Sequence, residues 1–211
     1  MDLAGLRREY ESHGIDIADL DRDPVEQARK WIDDAIAADC LEPHAMTLST
    51  VGDDNRPQAR YVLLRGLDEH GFWFFTNSES VKGRALAANP HAALTFAWLQ
   101  LHRQLRVSGR VGPLPSELSD AYFARRSRGS QIGAWASRQS EVIEGRAALD
   151  EAVAEYERKF AGAAVPRPPF WAGYALQPGE IEFWQGRPSR LHDRIRFRRD
   201  DGVWVPERLS P

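Results

Sequence analysis

The sequence predicts an α+β protein: an antiparallel sheet or barrel with helices around it. Three observations carry this. About nine short stretches have strand character, and most are joined by turn-forming clusters, not by helices. Helical periodicity comes in blocks, near the N-terminus and between residues 115 and 160, whereas a parallel sheet would alternate strand and helix throughout. No internal repeat, low-complexity tract or linker divides the 211 residues, which fit one domain.

Each element has a local reason. Residues 1–22 are charged and weakly patterned, and are expected to form a mobile arm or lid on a single domain spanning 23–211. Asp23 can cap a helix, Pro24 suits its first position, and Glu26 stands where a capping box takes an acid. Val25, Ala28, Ile32, Ala35 and Ile36 then make an apolar stripe to about Ala38. Strands are expected over 45–51, 58–65 and 72–77, separated by Gly52-Asp53-Asp54-Asn55 and by a turn at 68–71. A short helix fits Ser80 to Ala88, ended by Asn89-Pro90. Strands at 92–99 and 104–111 follow. Leu118, Ala121, Tyr122 and Arg125 share a helix, 129–136 makes a second, and Arg146 to Phe160 a third with alternating charge on its outer face. After Pro166-Arg167-Pro168-Pro169, strands are expected at 170–176, 181–185, 194–199 and 203–208, the last two joined by a hairpin turn at Asp200-Asp201-Gly202.

Composition narrows the function. A net charge of −3 gives no global basic field for nucleic acid, so arginine clusters need local explanations. The single cysteine, Cys40, excludes an internal disulfide and a cysteine-based metal site, and reads as a buried structural thiol. The six histidines lack metal-ligand spacing. No leader-like N-terminus and no apolar run of ~18 residues is present, so a soluble cytoplasmic protein is expected. Neither a G-x-G-x-x-G nor a G-x-x-x-x-G-K-[ST] motif occurs, and no G-x-S-x-G elbow.

What remains is a set of cations and hydroxyls flanking strands. Arg60 and Arg65 bracket Tyr61-Val62-Leu63-Leu64. Lys82, just inside a helix after Thr76-Asn77-Ser78, is placed to join free backbone N–H groups in holding an anion. Tyr122, Arg126 and Ser130 offer a phenol, a bidentate guanidinium and a hydroxyl to a second phosphate. Two phosphate-like sites without a P-loop suggest two different phosphate-bearing molecules; solvated surface cations are the alternative. Near the C-terminus, Ile181-Glu182-Phe183-Trp184-Gln185-Gly186 is followed by Arg190-Leu191-His192-Asp193-Arg194. In an extended segment Arg190, His192 and Arg194 would share a face beside an aromatic wall, suited to a planar anion. A charged edge strand that discourages aggregation would read the same way.

These residues carry a resemblance. From Leu6 to Pro211 the chain resembles the pyridoxine/pyridoxamine 5′-phosphate oxidase family of FMN enzymes. The most specific stretches are Ser130-Gln131-Ile132-Gly133-Ala134-Trp135-Ala136-Ser137-Arg138-Gln139-Ser140, the two C-terminal runs just quoted, and the ending Glu207-Arg208-Leu209-Ser210-Pro211. The resemblance implies an FMN-binding split barrel working as a homodimer with FMN at the subunit interface. It implies that Arg60, Tyr61, Val62, Leu63, Leu64, Arg65, Phe75, Thr76, Lys82, Gln104, Gln139, Ser140, Trp184 and Arg194 hold FMN. Tyr122, Arg126 and Ser130, with Arg65, would hold the substrate phosphate. Arg190, Leu191 and His192 would lie over the pyridine ring, with Arg190 steering the reacting carbon and His192 its hydrogen-bond partner. Arg7 and Tyr10 would close the lid. The implied reaction oxidises pyridoxine or pyridoxamine 5′-phosphate to pyridoxal 5′-phosphate, with O2 as acceptor, and releases hydrogen peroxide, and ammonia from the amine.

Four positions depart from the family pattern: Arg65 for a usual Lys, Val81 for an Arg, Phe75 for a Tyr and Glu42 for an Asp. Arg is forked and bulkier than Lys, so the first swap is not neutral at a phosphate site. Two other readings stay open: a related flavin oxidase acting on another aromatic, as in the phenazine pathway, and a non-catalytic flavin- or pyridoxal-phosphate-binding protein.

Overall fold

The structure is a computed structural model that describes Met1, Tyr10 and residues 12–211. A helix α1 (Pro24–Ala37) leads into strands β1 (Ala45–Val51), β2 (Pro57–Leu63), β3 (Gly66–Asp68) and β4 (Gly71–Asn77). Helix α2 (Val81–Ala88) is followed by β5 (His91–Trp98) and β6 (Arg103–Pro113). Helices α3 (Ser116–Ala124), α4 (Arg128–Ala136) and α5 (Arg146–Lys159) form one block, and β7 (Trp171–Gln185), β8 (Asp193–Asp200) and β9 (Val203–Arg208) close the chain.

All the strands join one antiparallel sheet in the order β2-β1-β5-β6-β7-β4-β3, with β8 and β9 branching from β7. The branch comes from the length of β7. One edge runs along β6 from Tyr174 to Gln185; the other pairs first with β4, over Trp171 to Leu176, and then with β8, over Glu180 to Gln185. The expected break into two strands at 170–176 and 181–185 therefore does not occur. Gln177-Pro178-Gly179 instead forms an irregularity opposite Ser108/Gly109, where the register shifts by one residue: Gly109 faces Pro178, Ser108 faces Glu180, and Gly179 is skipped. Gly109 is required there, because a Cβ would collide with the Gln177 carbonyl. The expected strand count survives through compensation: two predicted strands merge, and the three-residue β3, read as loop and turn, is added.

One face of the sheet makes the core. Met46, Leu48, Phe72, Phe74, Leu94, Phe96, Leu105, Val107, Ile181, Phe183, Ile195 and Phe197 alternate inward and are buried. Helix α1 covers this face with Ala28, Trp31, Ile32 and Ala35. Trp31 stands edge-on to Phe183 at 5.0 Å. The predicted stripe missed Trp31 and wrongly included Ile36, which is 57% exposed: positions 28, 31, 32 and 35 define the buried face, and 36 turns out of it. Asp23 caps α1 through the Val25 N–H, but no capping box forms. The Asp23 N–H goes to Asp21 Oδ1, and Glu26 pairs with Arg29. Cys40 is buried, and burial raises its thiol pKa.

Within the stretch expected as an arm, residues 15–20 pack. Ile15, Ile17 and Leu20 lie against the core, and the Ile15 N–H donates to Asp193. A smaller aromatic cluster of Phe123, Ile132, Val165 and Trp171 ties α3, α4 and α5 to the sheet. Arg167 locks this layer by bonding Asp120, Ser116 Oγ and the Trp171 carbonyl.

Candidate active site

A cleft of about 470 Å³ opens between β2, β4, α2 and the α3–α4 layer. Among the expected cofactor and substrate residues, Tyr61, Val62, Leu63, Arg65, Phe75, Thr76, Lys82, Tyr122, Arg126, Ser130 and Gln139 line it. Trp171, absent from the sequence-derived set, lines it too.

One end is built around the start of α2. Ser80 caps the helix by accepting from the Gly83 N–H, and the Val81 N–H donates to Ser140 Oγ at 3.3 Å. Gln139 Oε1 accepts from Lys82 Nζ at 2.8 Å and from Thr76 Oγ1 at 3.1 Å. The loop after α4 thus brings Gln139 and Ser140 onto the β4–α2 junction. Burial lowers the pKa of Lys82 below its ordinary value, and the neighbouring Arg60 charge lowers it further. Arg60 does not line the cleft. Its guanidinium is held by the Leu48 carbonyl and Thr50 Oγ1 behind Lys82, and burial lowers its pKa as well.

The other end is aromatic and cationic. Phe75, Tyr122 and Trp171 lie nearly parallel, Phe75 4.2 Å from Tyr122 and 5.0 Å from Trp171. Arg126 Cζ stands 5.1 Å from the Trp171 ring centroid, and Arg65 Cζ 6.0 Å from that of Tyr122. Burial lowers the pKa of Arg126; Tyr122 opposes this and the Arg65 charge reinforces it. Among the described residues, Arg126 Nη1 is buried without a hydrogen-bond partner. Such a donor costs about 1–3 kcal/mol, a cost normally retained where a ligand answers it. Among the described residues, no ion pair joins Arg60, Arg65, Lys82 or Arg126 to a carboxylate. The cleft therefore holds two unneutralised cationic ends with an aromatic wall between, which suits phosphorylated aromatic molecules.

The remaining predicted residues form a second group. Gln104, Trp184 and Arg194 are in register across β6, β7 and β8 and share the face opposite Leu105, Phe183 and Ile195. Glu182, which is buried, accepts from Arg194 Nε at 2.7 Å and Arg106 Nη1 at 2.9 Å. Its hydrogen bond raises the Arg194 pKa. The Ser210 carbonyl accepts from Arg194 Nη1, so the chain's last residues help fix that guanidinium. His192 lies 4.6 Å from Trp184, and Tyr10 packs between His102 and His192. Arg7 falls outside the described residues.

The expectation that Arg190, His192 and Arg194 share a face of one extended segment is corrected. Pro188–Arg190 is a tight 3₁₀ turn with Ser189 and Arg190 at positive φ, and β8 begins only at Asp193. Pro188 and the paired Arg187–Asp193 side chains fold the segment back, leaving Arg190 and Leu191 exposed. His192 Nδ1 accepts the Arg187 N–H, so the neutral ring carries its proton on Nε2 and presents a donor.

The two groups are far apart in one chain. Trp184 lies eleven residues along β7 from Gly173, the partner of Phe75. At about 3.3 Å per residue that is about 36 Å of strand, and none of Gln104, Trp184, Arg190, His192 and Arg194 lines the cleft.

A curled antiparallel sheet whose long strand serves two partners, with helices flanking an anion-seeking cleft, defines a split barrel of the kind found in FMN-binding proteins. PhzG from Burkholderia lata, solved with tetrahydrophenazine-1-carboxylic acid, matches with a TM-score of 0.87 and 34% identity, over 92% of this chain and 95% of that one. A pyridoxamine 5′-phosphate oxidase-related, FMN-binding protein from Nostoc punctiforme matches with a TM-score of 0.70 over 87% of this chain and 97% of that one; at 18% identity this is a likeness of fold.

Residues 32–160 match the family model for pyridoxamine 5′-phosphate oxidase, and 171–211 that for the pyridoxine 5′-phosphate oxidase C-terminal dimerisation region. Pyridoxine/pyridoxamine 5′-phosphate oxidases from Pseudomonas paraeruginosa and Rubrobacter xylanophilus are 54% and 53% identical, over 99% and 100% of this chain and 98% and 97% of theirs. The chain belongs to the pyridoxine/pyridoxamine 5′-phosphate oxidase family.

Proposed function

We propose that the protein oxidises pyridoxine 5′-phosphate or pyridoxamine 5′-phosphate to pyridoxal 5′-phosphate, using FMN and O2. The observation that carries this is the pair of unneutralised cationic ends in one aromatic-walled cleft, one of them holding the unpartnered buried Arg126 Nη1. Two phosphate monoesters, one of the cofactor and one of the substrate, answer the two ends. The donor set fits FMN: Lys82, Thr76, Gln139, Ser140 and the start of α2 for its phosphate, and the 61–65 segment with Phe75 for its aromatic part. When bound, FMN would supply the electron sink for oxidising the substrate carbon that bears the alcohol or amine, with O2 as the final acceptor and hydrogen peroxide as the by-product.

The chain's own residues bind and orient. Arg126, Tyr122 and Ser130 take the substrate phosphate, with Arg65 adding charge. Arg190 and His192 belong to the other group and do not line this cleft. Both lie in the matched dimerisation region, so a homodimer in which the partner subunit presents Gln104, Trp184, Arg190, His192 and Arg194 completes each site. His192 then offers Nε2–H to the pyridine substituents, and Arg190, exposed on its turn, steers the reacting carbon. Tyr10, packed on His192, closes the site beside them, and excluding water there favours near-attack geometry. For pyridoxamine 5′-phosphate, hydrolysis of the imine gives the aldehyde and ammonia.

A second reading, oxidation of a phenazine-type tricycle, is favoured by the likeness to PhzG, but such a substrate leaves the phosphate cradle unused. Aerobic turnover of FMN-supplied protein decides between them. Pyridoxal phosphate and peroxide formed in equal amounts from pyridoxine phosphate support the oxidase. FMN binding with both B6 phosphates inert overturns it.

A further inference from the structure

A second chamber of about 410 Å³ adjoins the cleft, lined by His44, Leu64, Arg65, Tyr122, Arg125 and Arg126. Arg65, Tyr122 and Arg126 line both spaces, so the two share a wall of one phenol and two guanidiniums. Arg125 lines only the chamber, and its side chain is exposed.

Three arginines in one concavity are unusual in a chain of net charge −3. Several arginines elsewhere are neutralised: Arg103 by Asp34, Arg167 by Asp120, Arg194 by Glu182, Arg196 by Glu207 and Arg208 by Asp193. Among the described residues no carboxylate pairs with Arg65, Arg125 or Arg126, and the ion pair at this wall is that of His44 with Glu42, at 3.4 Å. The fold tolerates the charge because Arg125 ends α3, where the helix's partial negative charge favours a cation. Like charges collected in a low-dielectric hollow focus the field outward, and such fields raise association rates of opposite charges by about 10- to 1,000-fold.

We propose that this chamber is an anion-capture vestibule, in which Arg125 and Arg65 draw in a phosphate monoester dianion and pass it to Arg126, Tyr122 and Ser130. In naming the cargo as a B6 phosphate the proposal rests on the functional reading above; the recognition chemistry is that of any phosphate monoester. Arg125 makes no contact with the held phosphate. It acts on arrival, not on chemistry.

The test is stopped-flow association of pyridoxine 5′-phosphate with the FMN-supplied protein, alongside equilibrium binding of inorganic phosphate, for wild type, Arg125→Ala and Arg125→Lys. At about 0.01 M salt, where charges act over ~30 Å, R125A is expected to associate about three- to tenfold more slowly. At about 1 M salt, where screening confines them to ~3 Å, the difference falls below about twofold. Dissociation stays unchanged, and R125K associates at close to the wild-type rate. Association of R125A at the wild-type rate at every salt concentration, or slowed equally at all of them, overturns the vestibule. The functional reading fails separately. Salt-sensitive, Arg125-dependent phosphate binding without turnover of either B6 phosphate keeps the vestibule and removes the oxidase. Normal turnover with an indifferent R125A does the reverse.

Discussion

Replacing Arg126 with methionine is expected to stabilise the ligand-free protein, against the usual trend. Most substitutions destabilise, by about 1 kcal/mol on average. Here the wild-type side chain buries Nη1 without a partner, a cost of about 1–3 kcal/mol, beside the like charge of Arg65. The substitution loses the cation–π contact over Trp171, about 0.5–1 kcal/mol. Methionine keeps a long unbranched stem, and its sulfur recovers about 0.3–1.5 kcal/mol on the same ring. At mid-range the net gain is about 2 kcal/mol. At about 2–4 °C per kcal/mol for a domain of this size, R126M melts about 4–8 °C higher. Ligand reverses the order. At ~100 times its Kd, pyridoxine 5′-phosphate stabilises wild type by about 2.7 kcal/mol, and the variant, lacking the guanidinium, gains little. The assay is thermal denaturation of both proteins at one protein concentration, with and without the phosphate. A variant less stable than wild type without ligand, or one that gains equally with it, refutes the reasoning.

Three further outcomes follow from the same geometry. Because burial holds the Lys82 pKa below 10.5, the unfolded chain binds more protons between the depressed value and 10.5, so this group's contribution to ligand-free stability rises with pH across that window. A phosphate that needs the ammonium binds more weakly over the same rise, so FMN titrations should weaken towards pH 10.5 in wild type and flatten in Lys82→Arg. Glu182→Gln replaces two charge-assisted bonds, to Arg194 and the half-exposed Arg106; a loss of about 2–3 kcal/mol, or about 4–12 °C, with weaker FMN binding is expected, and an unchanged melting temperature with unchanged FMN affinity contradicts it. Gly109→Ala drives a Cβ into the Gln177 carbonyl and should cost about 2–3 kcal/mol in urea denaturation, whereas a neutral result would mean that the irregularity in β7 relaxes freely.

Local chemistry was legible. Asp23-Pro24 opened α1, the helix expected over Ser80–Ala88 forms as Val81–Ala88, and β1 keeps the bounds read for it ahead of the Gly52-Asp53-Asp54-Asn55 turn. Asp201 and Gly202, both at positive φ, form the two-residue turn their dipeptide announces. Tertiary compensation was not legible. Gln177-Pro178-Gly179 reads as a strand break, yet β7 continues because a glycine lies opposite on β6. Arg190 to Arg194 reads as extended, yet Pro188 and the Arg187–Asp193 pair fold it. The residues of the cleft could be gathered by residue type, but not their division into two distant groups, which depends on the length of β7. Trp171 carries Arg126 from the start of that strand; the only hint was an aromatic pair after Pro168-Pro169.

The most direct measurement compares kcat/KM for pyridoxine 5′-phosphate with that for unphosphorylated pyridoxine in the FMN-supplied protein, scoring aldehyde and peroxide together. Two charge-assisted bonds to the phosphate at about 1.5–3 kcal/mol each predict that its removal costs about 10²–10⁴-fold. Similar rates for the two, or oxidation of a phenazine-type carboxylate while both B6 phosphates stay inert, would contradict the account.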